Sequence, residues 1–343
     1  MSNKYKSIIS IAVFVCIGCL LIVISNASSP TISIEPESGS LKGVVKAQDS
    51  NSSGGAYITF TKSYPKVGIS TGYKILTRSA ADRAFELDQI VSVGGKIVRF
   101  DSTPSNQQEV ETLVNECLAR NLEPLLSLFG TTSDPSSKNA TIAAAFARDQ
   151  ARKFKGKVRM FETVNEPDLN GWTPEELTVF TKAVYPVIKQ ENPDAIVITG
   201  ALWKGDPGPV AWVQRMYAAG IKGYFDMLSL HLYDDPNERG SWNIWDMAFY
   251  DTPSVRSVMD SNGDSAKPIA STETGGPVWK YGNDGQNTII MHDFDALNNP
   301  NTPLSFMLVY SMTDDDVAGY GLLNPDLSKR PSWYTYQQRT NGP

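Results

Sequence analysis

The sequence predicts an α/β fold, a single (β/α)8 TIM barrel, on three observations. Eight short apolar runs alternate with eight helix-patterned stretches across residues 57–340. The runs are apolar on both faces, as parallel strands covered on both sides must be. The first run ends in Ile69-Ser70-Thr71-Gly72, not the Gly-rich phosphate turn that usually opens a doubly wound sheet, and no Walker-type loop occurs. Eight strand–helix units of this kind close into a barrel.

The elements follow in order. Val67–Ser70 is the first strand, and Ser79–Val93 is a helix with Ala80, Ala84, Leu87, Ile90 and Val91 at helical spacing. Lys96–Phe100 is a strand, and Asn106–Arg120 a helix with Val110, Leu113, Val114, Cys117 and Leu118 on one face. Glu123–Phe129 and Ala143–Phe154 form the third unit. Val158–Val164 leads into Asn165-Glu166-Pro167, and Thr173-x-x-Glu176 is a capping box that starts a helix over Pro174–Lys189. Ala195–Thr199 pairs with Pro209–Ala219, and Phe225–Leu230 with a helix inside Trp242–Ser261. Pro268–Ser271 precedes Gln286–Leu297, and Leu304–Tyr310 precedes Pro331–Gln338.

Upstream the composition changes. Lys4 and Lys6 precede Ile8–Ser25, which carries no charge, and Ser25-Asn26-Ala27 has the small-x-small pattern of a cleavage site. Residues 1–27 read equally as a cleaved signal peptide or as an N-terminal anchor attached to a membrane through residues 8–25. Gly18-Cys19 is a fainter lipoprotein-like alternative, with Cys16 where Leu is usual. All three readings place the rest of the chain outside the cell. Residues 28–56, rich in Ser, Gly and Pro, read as a linker with a short strand at Ile32–Ile34.

Of three cysteines only Cys117 lies beyond the apolar segment, so an exported barrel has no internal disulfide and rests on its core. Cys117 itself reads as a small buried hydrophobe. The net charge of −6 and the lack of a Lys/Arg stripe exclude nucleic acid as a natural partner. No His/Cys/Asp spacing suggests a metal, no cofactor is expected, and the chain is expected to act as a monomer.

In a barrel of this type, reactive groups sit at the C-terminal strand ends. The polar residues there are Arg99, Asn165, Glu166, His231, Tyr233, Glu273 and Tyr310. A single strand-end Glu is usually a cap or an ion-pair partner. Two of them, Glu166 and Glu273, facing one mouth can divide acid and nucleophile roles in glycoside hydrolysis.

Thr163-Val164-Asn165-Glu166-Pro167 resembles the Asn-Glu-Pro signature of glycoside hydrolase clan A, the retaining barrel glycosidases that include families 5 and 39. Lys267–Gly275 resembles the clan's seventh-strand segment, and His231-Leu232-Tyr233 its sixth-strand His-x-Tyr. The resemblance implies Glu166 as acid/base and Glu273 as nucleophile, with a carbohydrate as substrate. It implies that Asn165 holds a sugar 2-hydroxyl, that Tyr233 and Arg99 keep Glu273 ionised, and that burial and Glu273 raise the pKa of Glu166. One departure is Tyr310 where the clan often carries Trp. Trp172 and Trp203, close behind the fourth and fifth strands, are the first candidates for sugar stacking, ahead of Trp242, Trp245 and Trp279; Trp212 and Trp333 read as core. His292 reads as a surface or packing residue. Asp314-Asp315-Asp316 reads as a solvated run, with calcium binding the lesser alternative. Two other classes share these features: a non-catalytic carbohydrate-binding barrel and a transglycosylase with the same catalytic pair. A Ser/His/Asp hydrolase is disfavoured, because the chain has two histidines and no G-x-S-x-G.

Overall fold

The computed structural model describes residues 44–48, 56–60, 67–129, 138–240, 242–314 and 317–341. The segment at residues 8–25 and the strand expected at Ile32–Ile34 lie outside them. The chain divides into two units, Met1–Ser63 and Tyr64–Pro343. In the first, within and just beyond the stretch read as a linker, β1 (Val44–Gln48) pairs antiparallel with β2 (Ala56–Phe60).

The second unit is the expected barrel. Its strands are β3 (Val67–Gly72), β4 (Ile97–Ser102), β5 (Glu123–Leu128), β6 (Met160–Glu162), β7 (Ile196–Ile198), β8 (Leu228–Leu232), β9 (Ile269–Thr274) and β10 (Leu304–Tyr310). Seven parallel ladders join them in the order β7-β6-β5-β4-β3-β10-β9-β8. The ring closes between β7 and β8 through the bridges Ile198–Met227 and Leu202–Leu230.

The helices are α1 (Ala80–Ser92), α2 (Gln107–Leu118), α3 (Ala140–Lys153), α4 (Pro174–Glu191), α5 (Pro209–Ala218), α6 (Val255–Ser261), α7 (Val278–Leu297) and α8 (Pro331–Asn341). The Thr173/Glu176 capping box opens α4, with Pro174 at its first turn, where a missing N–H is harmless. Two helices depart from expectation. The region 242–261 splits into a π-type turn, Asp246–Tyr250, and the separate α6, because Pro253 cannot continue a helical ladder. And α7 starts early, with a turn at Val278–Tyr281 that breaks at Gly282 (φ 69°) before the main helix.

Inward positions of the strands alternate with outward ones. Val98, Phe100, Leu126 and Phe161 point out and join the helices in the main core. Ile97, Leu125, Met160, Ile196, Ile198, Met227, Ala270, Phe306 and Leu308 form a separate buried cluster, the lower layer of the barrel interior. Gly68 is obligatory there, since a Cβ would stand 2.1 Å from the carbonyl oxygen of Ile97. Cys117 is buried and free, and Trp212 and Trp333 are buried as expected.

Candidate active site

On β4, β5, β6, β8 and β9, two residues up from the aliphatic layer, the interior becomes polar: Arg99, Ser127, Glu162, Ser229 and Thr272 all lie buried there. Arg99 organises this layer. Its Nε donates to Glu162 Oε2 at 2.7 Å, and its Nη1 to Glu273 Oε1 at 2.6 Å and Ser70 Oγ at 3.0 Å. Its Nη2 donates to Asn165 Oδ1 at 2.6 Å. Thr272 Oγ1 donates to the other oxygen of Glu162 at 2.7 Å. Burial opposes the guanidinium charge, but Glu162 and Glu273 beside it more than restore it.

Glu273 stands on this base. Arg99 and Ser70 face its Oε1, and the Tyr233 hydroxyl donates to its Oε2. Burial and the negative Glu273 push the Tyr233 phenol well above its ordinary range, so it remains a donor. Glu166 approaches from β6. Its backbone is left-handed, φ 42°, a conformation that costs a non-glycine residue about 1–2 kcal/mol. The turn is held there from behind: the Glu166 carbonyl accepts from Leu169 N, Asn170 N and Asn170 Nδ2. Asn165 bridges to Ala201, which anchors the turn to the next strand.

His231 joins the two carboxyls. Its Nδ1 lies 2.8 Å from Glu166 Oε1 and 3.5 Å from Glu273 Oε2. One oxygen of Glu166 and one of Glu273 come within 4.8 Å of each other. The direction of the Glu166 shift corrects the sequence expectation. Burial does raise its pKa, but the hydrogen bond and charge of His231, with Arg99 behind, outweigh burial and draw it below the ordinary range. His231 moves up: burial lowers its pKa, and Glu273 and Glu166 more than offset that. The two shifts run in opposite directions because each group favours the charged form of the other.

The aromatic candidates separate. Trp203 lies edge-on to Tyr233 at 5.8 Å, and its loop is pinned by Asp168, which accepts from Trp203 N at 3.0 Å and Gly205 N at 2.9 Å. Tyr310 joins the mouth, 6.4 Å from the Tyr233 ring. Trp172 does not: it is buried against Phe180 with Lys138 over its ring, and offers no face to a sugar. Trp245 is likewise core, its Nε1 donating to the Asp234 carbonyl at 2.8 Å. Arg99 and His231 are buried behind the carboxyls and contact those groups, so their bearing on a sugar is indirect.

The sequence reading passed over four residues. Glu162 was hidden in an apolar run, although it shares inward parity with Arg99. Ser70 reads from the sequence only as the last residue of the first strand. Tyr320 is 5.6 Å from both Tyr233 and Tyr310, and the aromatic between two glycines in Gly319-Tyr320-Gly321 was a signal. Asp293 on α7 is fully buried behind β9. The Thr274 hydroxyl donates to the Leu232 carbonyl at 2.6 Å, so its 3.0 Å contact with Asp293 Oδ2 needs a proton on the acid. Burial raises the Asp293 pKa well above the usual carboxyl range, in agreement.

Glu166, His231 and Glu273 are close enough to ligate a cation. The guanidinium 2.6 Å from Glu273 opposes a second positive charge, and Arg99 and Tyr233 already occupy both Glu273 oxygens. Nor does Asp314 fit a calcium loop: it accepts from Gly321 N at 2.7 Å and pairs with Arg330 at 2.6 Å.

The family model described as cellulase, glycosyl hydrolase family 5, matches residues 88–303, most of the barrel. The chain belongs to glycosyl hydrolase family 5. It is a glycosidase. No curated protein matches it. Among solved structures, a β-glucosidase from Thermotoga maritima in complex with glucoimidazole aligns at 13% identity and TM-score 0.56, over 83% of this chain and 99% of that one. A glucosidase from Croceicoccus marinus aligns at 15% identity and TM-score 0.61, over 81% of this chain and 68% of that one. At such identities the likeness establishes the barrel fold of this family 5 chain.

Proposed function

We propose that this enzyme cleaves β-glycosidic bonds of an oligo- or polysaccharide with retention, with Glu273 as nucleophile and Glu166 as acid/base. The approach of the two carboxyls to within 4.8 Å carries the reading. Retaining pairs stand about 5–5.5 Å apart, whereas inverting pairs need about 6.5–9.5 Å to admit a water.

In the first step a Glu273 oxygen attacks the anomeric carbon, the glycosidic C–O bond breaks, and the leaving oxygen takes a proton from Glu166. In the second, Glu166 removes a proton from water, the water oxygen bonds the anomeric carbon, and Glu273 leaves as carboxylate. The proton needed first is the one Glu166 shares with His231. Transfer across their 2.8 Å contact converts an ion pair to a neutral pair. A sugar that excludes water favours the neutral form, because lower dielectric penalises separated charge. Asn165, fixed by Arg99, reaches the sugar 2-hydroxyl; Trp203 and Tyr310 border the ring. On the same footing we place the enzyme outside the cell, as a monomer, released or held by residues 8–25.

The test is turnover of aryl β-glycosides and β-glycans by residues 28–343, beside Glu273→Ala with and without azide. Loss of activity in the variant, restored by azide as a glycosyl azide of inverted configuration, is expected. Wild-type turnover by Glu273→Ala would overturn the mechanism. Products dominated by new glycosides in place of free sugar would make the enzyme a transglycosylase. Recovery of the full-length chain in a cell's soluble interior would overturn the extracellular placement.

A further inference from the structure

We infer that the indole of Trp279 is an outer sugar subsite, which holds a further unit of the saccharide whose scissile bond lies at Glu166 and Glu273. The inference rests on the glycosidase reading above and adds that the substrate is longer than a disaccharide.

Two tyrosines and a glycine lead from the carboxyls to Trp279. Tyr233 donates to Glu273. The Tyr320 ring lies 5.6 Å from Tyr233. The residue before Tyr320 is Gly319, and Trp279 rests on it: a Cβ at Gly319 would stand 2.8 Å from indole Cδ1 and 3.5 Å from Nε1. Gly319 also has φ +89°, so the position excludes a side chain twice over. Val278 N donates to the Gly319 carbonyl at 2.9 Å, which ties the turn carrying Trp279 to that loop. One side of the indole is thus backed by glycine, while the residue remains 70% exposed.

The exposure does not come from looseness. The buried Gln286 amide donates to the carbonyls of Gly319, Tyr320 and Gly321 at 3.2–3.3 Å, and accepts from Ser332 Oγ at 2.6 Å. Arg330 and Asp314 clamp the far end of the same loop. Trp245 and Trp333, by contrast, are covered. An aromatic surface open to water, on a turn tied to the loop that carries Tyr320, matches the C–H face of a pyranose. Continuity with the catalytic mouth favours the substrate itself over a separate partner.

The experiment measures kcat/KM for free β-1,4-linked gluco-, manno- and xylo-oligosaccharides of two to six units, with wild type, Trp279→Ala and Trp279→Phe. Wild-type kcat/KM is expected to rise with length in the series it cleaves. Trp279→Ala should cut that rise by about tenfold, the equivalent of about 1.4 kcal/mol of stacking, and Trp279→Phe should restore most of it. The same length dependence in Trp279→Ala as in wild type would overturn the subsite. So would an equal loss at every length, since that marks an effect on the centre or the fold. Turnover of aryl glycosides with no gain from longer chains would refute the subsite and leave the glycosidase reading standing. No turnover of any glycoside would refute that reading itself.

Discussion

The lower and upper layers of the barrel interior are built by the same strands two residues apart, yet they share almost no chemistry. Ile97 stands below Arg99, Leu125 below Ser127, Met160 below Glu162, and Ala270 below Thr272. The lower set excludes water and needs no partners. The upper set is equally buried, but each charge meets a countercharge: Arg99 faces Glu162 at 2.5 Å and Glu273 at 2.6 Å. The strand pleat alone separates a layer that stabilises from a layer that can react. A two-residue step along a strand is about 7 Å, enough to pass from an aliphatic layer to a charged one.

This contrast can be broken from above or from below. The largest effect is expected at Glu273→Gln: kcat falls by a factor of about 10⁴ or more while the melting temperature stays close to wild type. A strong loss of stability with modest loss of kcat would place Glu273 among the supports. Next comes Arg99→Met. It leaves Glu162 and Glu273 buried without their cation, and should cost about 3–5 kcal/mol in urea unfolding as well as most activity. A stable, active variant would show that the upper layer is no charge network. Met160→Ala reverses the pattern: a cavity in the lower layer costs about 2–5 kcal/mol, while kcat per folded molecule stays within about twofold of wild type. A large fall in kcat would show the two layers to be coupled.

The smallest test lies behind the upper layer. Asp293 is raised in the folded state above its value of about 3.9 when unfolded, so the native state binds more protons as pH rises past about 4. Its stabilising protonated form is complete below that pH and is lost as pH rises through the folded pKa. Asp293→Asn keeps a neutral donor for Thr274 and removes the slope. Above about pH 4 its stability should gain on wild type as pH rises towards the folded pKa, at up to about 1.4 kcal/mol per unit. Parallel stability–pH curves would show that Asp293 is ionised in the fold.

Legibility followed distance along the chain. The eight units stand in the expected order because strand and helix periods are local, and so are the Thr173 capping box and the burial of Cys117. Strand ends, together with the motif resemblance, sufficed to gather Asn165, Glu166, His231, Tyr233 and Glu273, since a barrel brings all such ends to one mouth. What stayed hidden needed a partner from elsewhere. Glu162 matters only when Arg99 is opposite it. Trp172 follows its strand as closely as Trp203 does, but Phe180 covers one while Tyr233 borders the other. The Glu166 shift reversed sign because His231, from two strands away, reaches it before solvent can.

Arg99 contacts side chains from β3, β5, β6 and β9, and Asn165 just beyond β6, at once. In synthesis those groups emerge over a span from residue 70 to residue 273. A nascent chain lacking β9 would already carry the guanidinium, its Glu162 partner and a sealed aliphatic floor, but not the second carboxylate or the wall that shields them. Such a chain has six of the eight barrel strands and leaves the Arg99 layer open where β9 and β10 would stand. The contacts of Arg99 are therefore complete only when β9 stands in the ring, and a chain cut before residue 269 is expected to show no turnover.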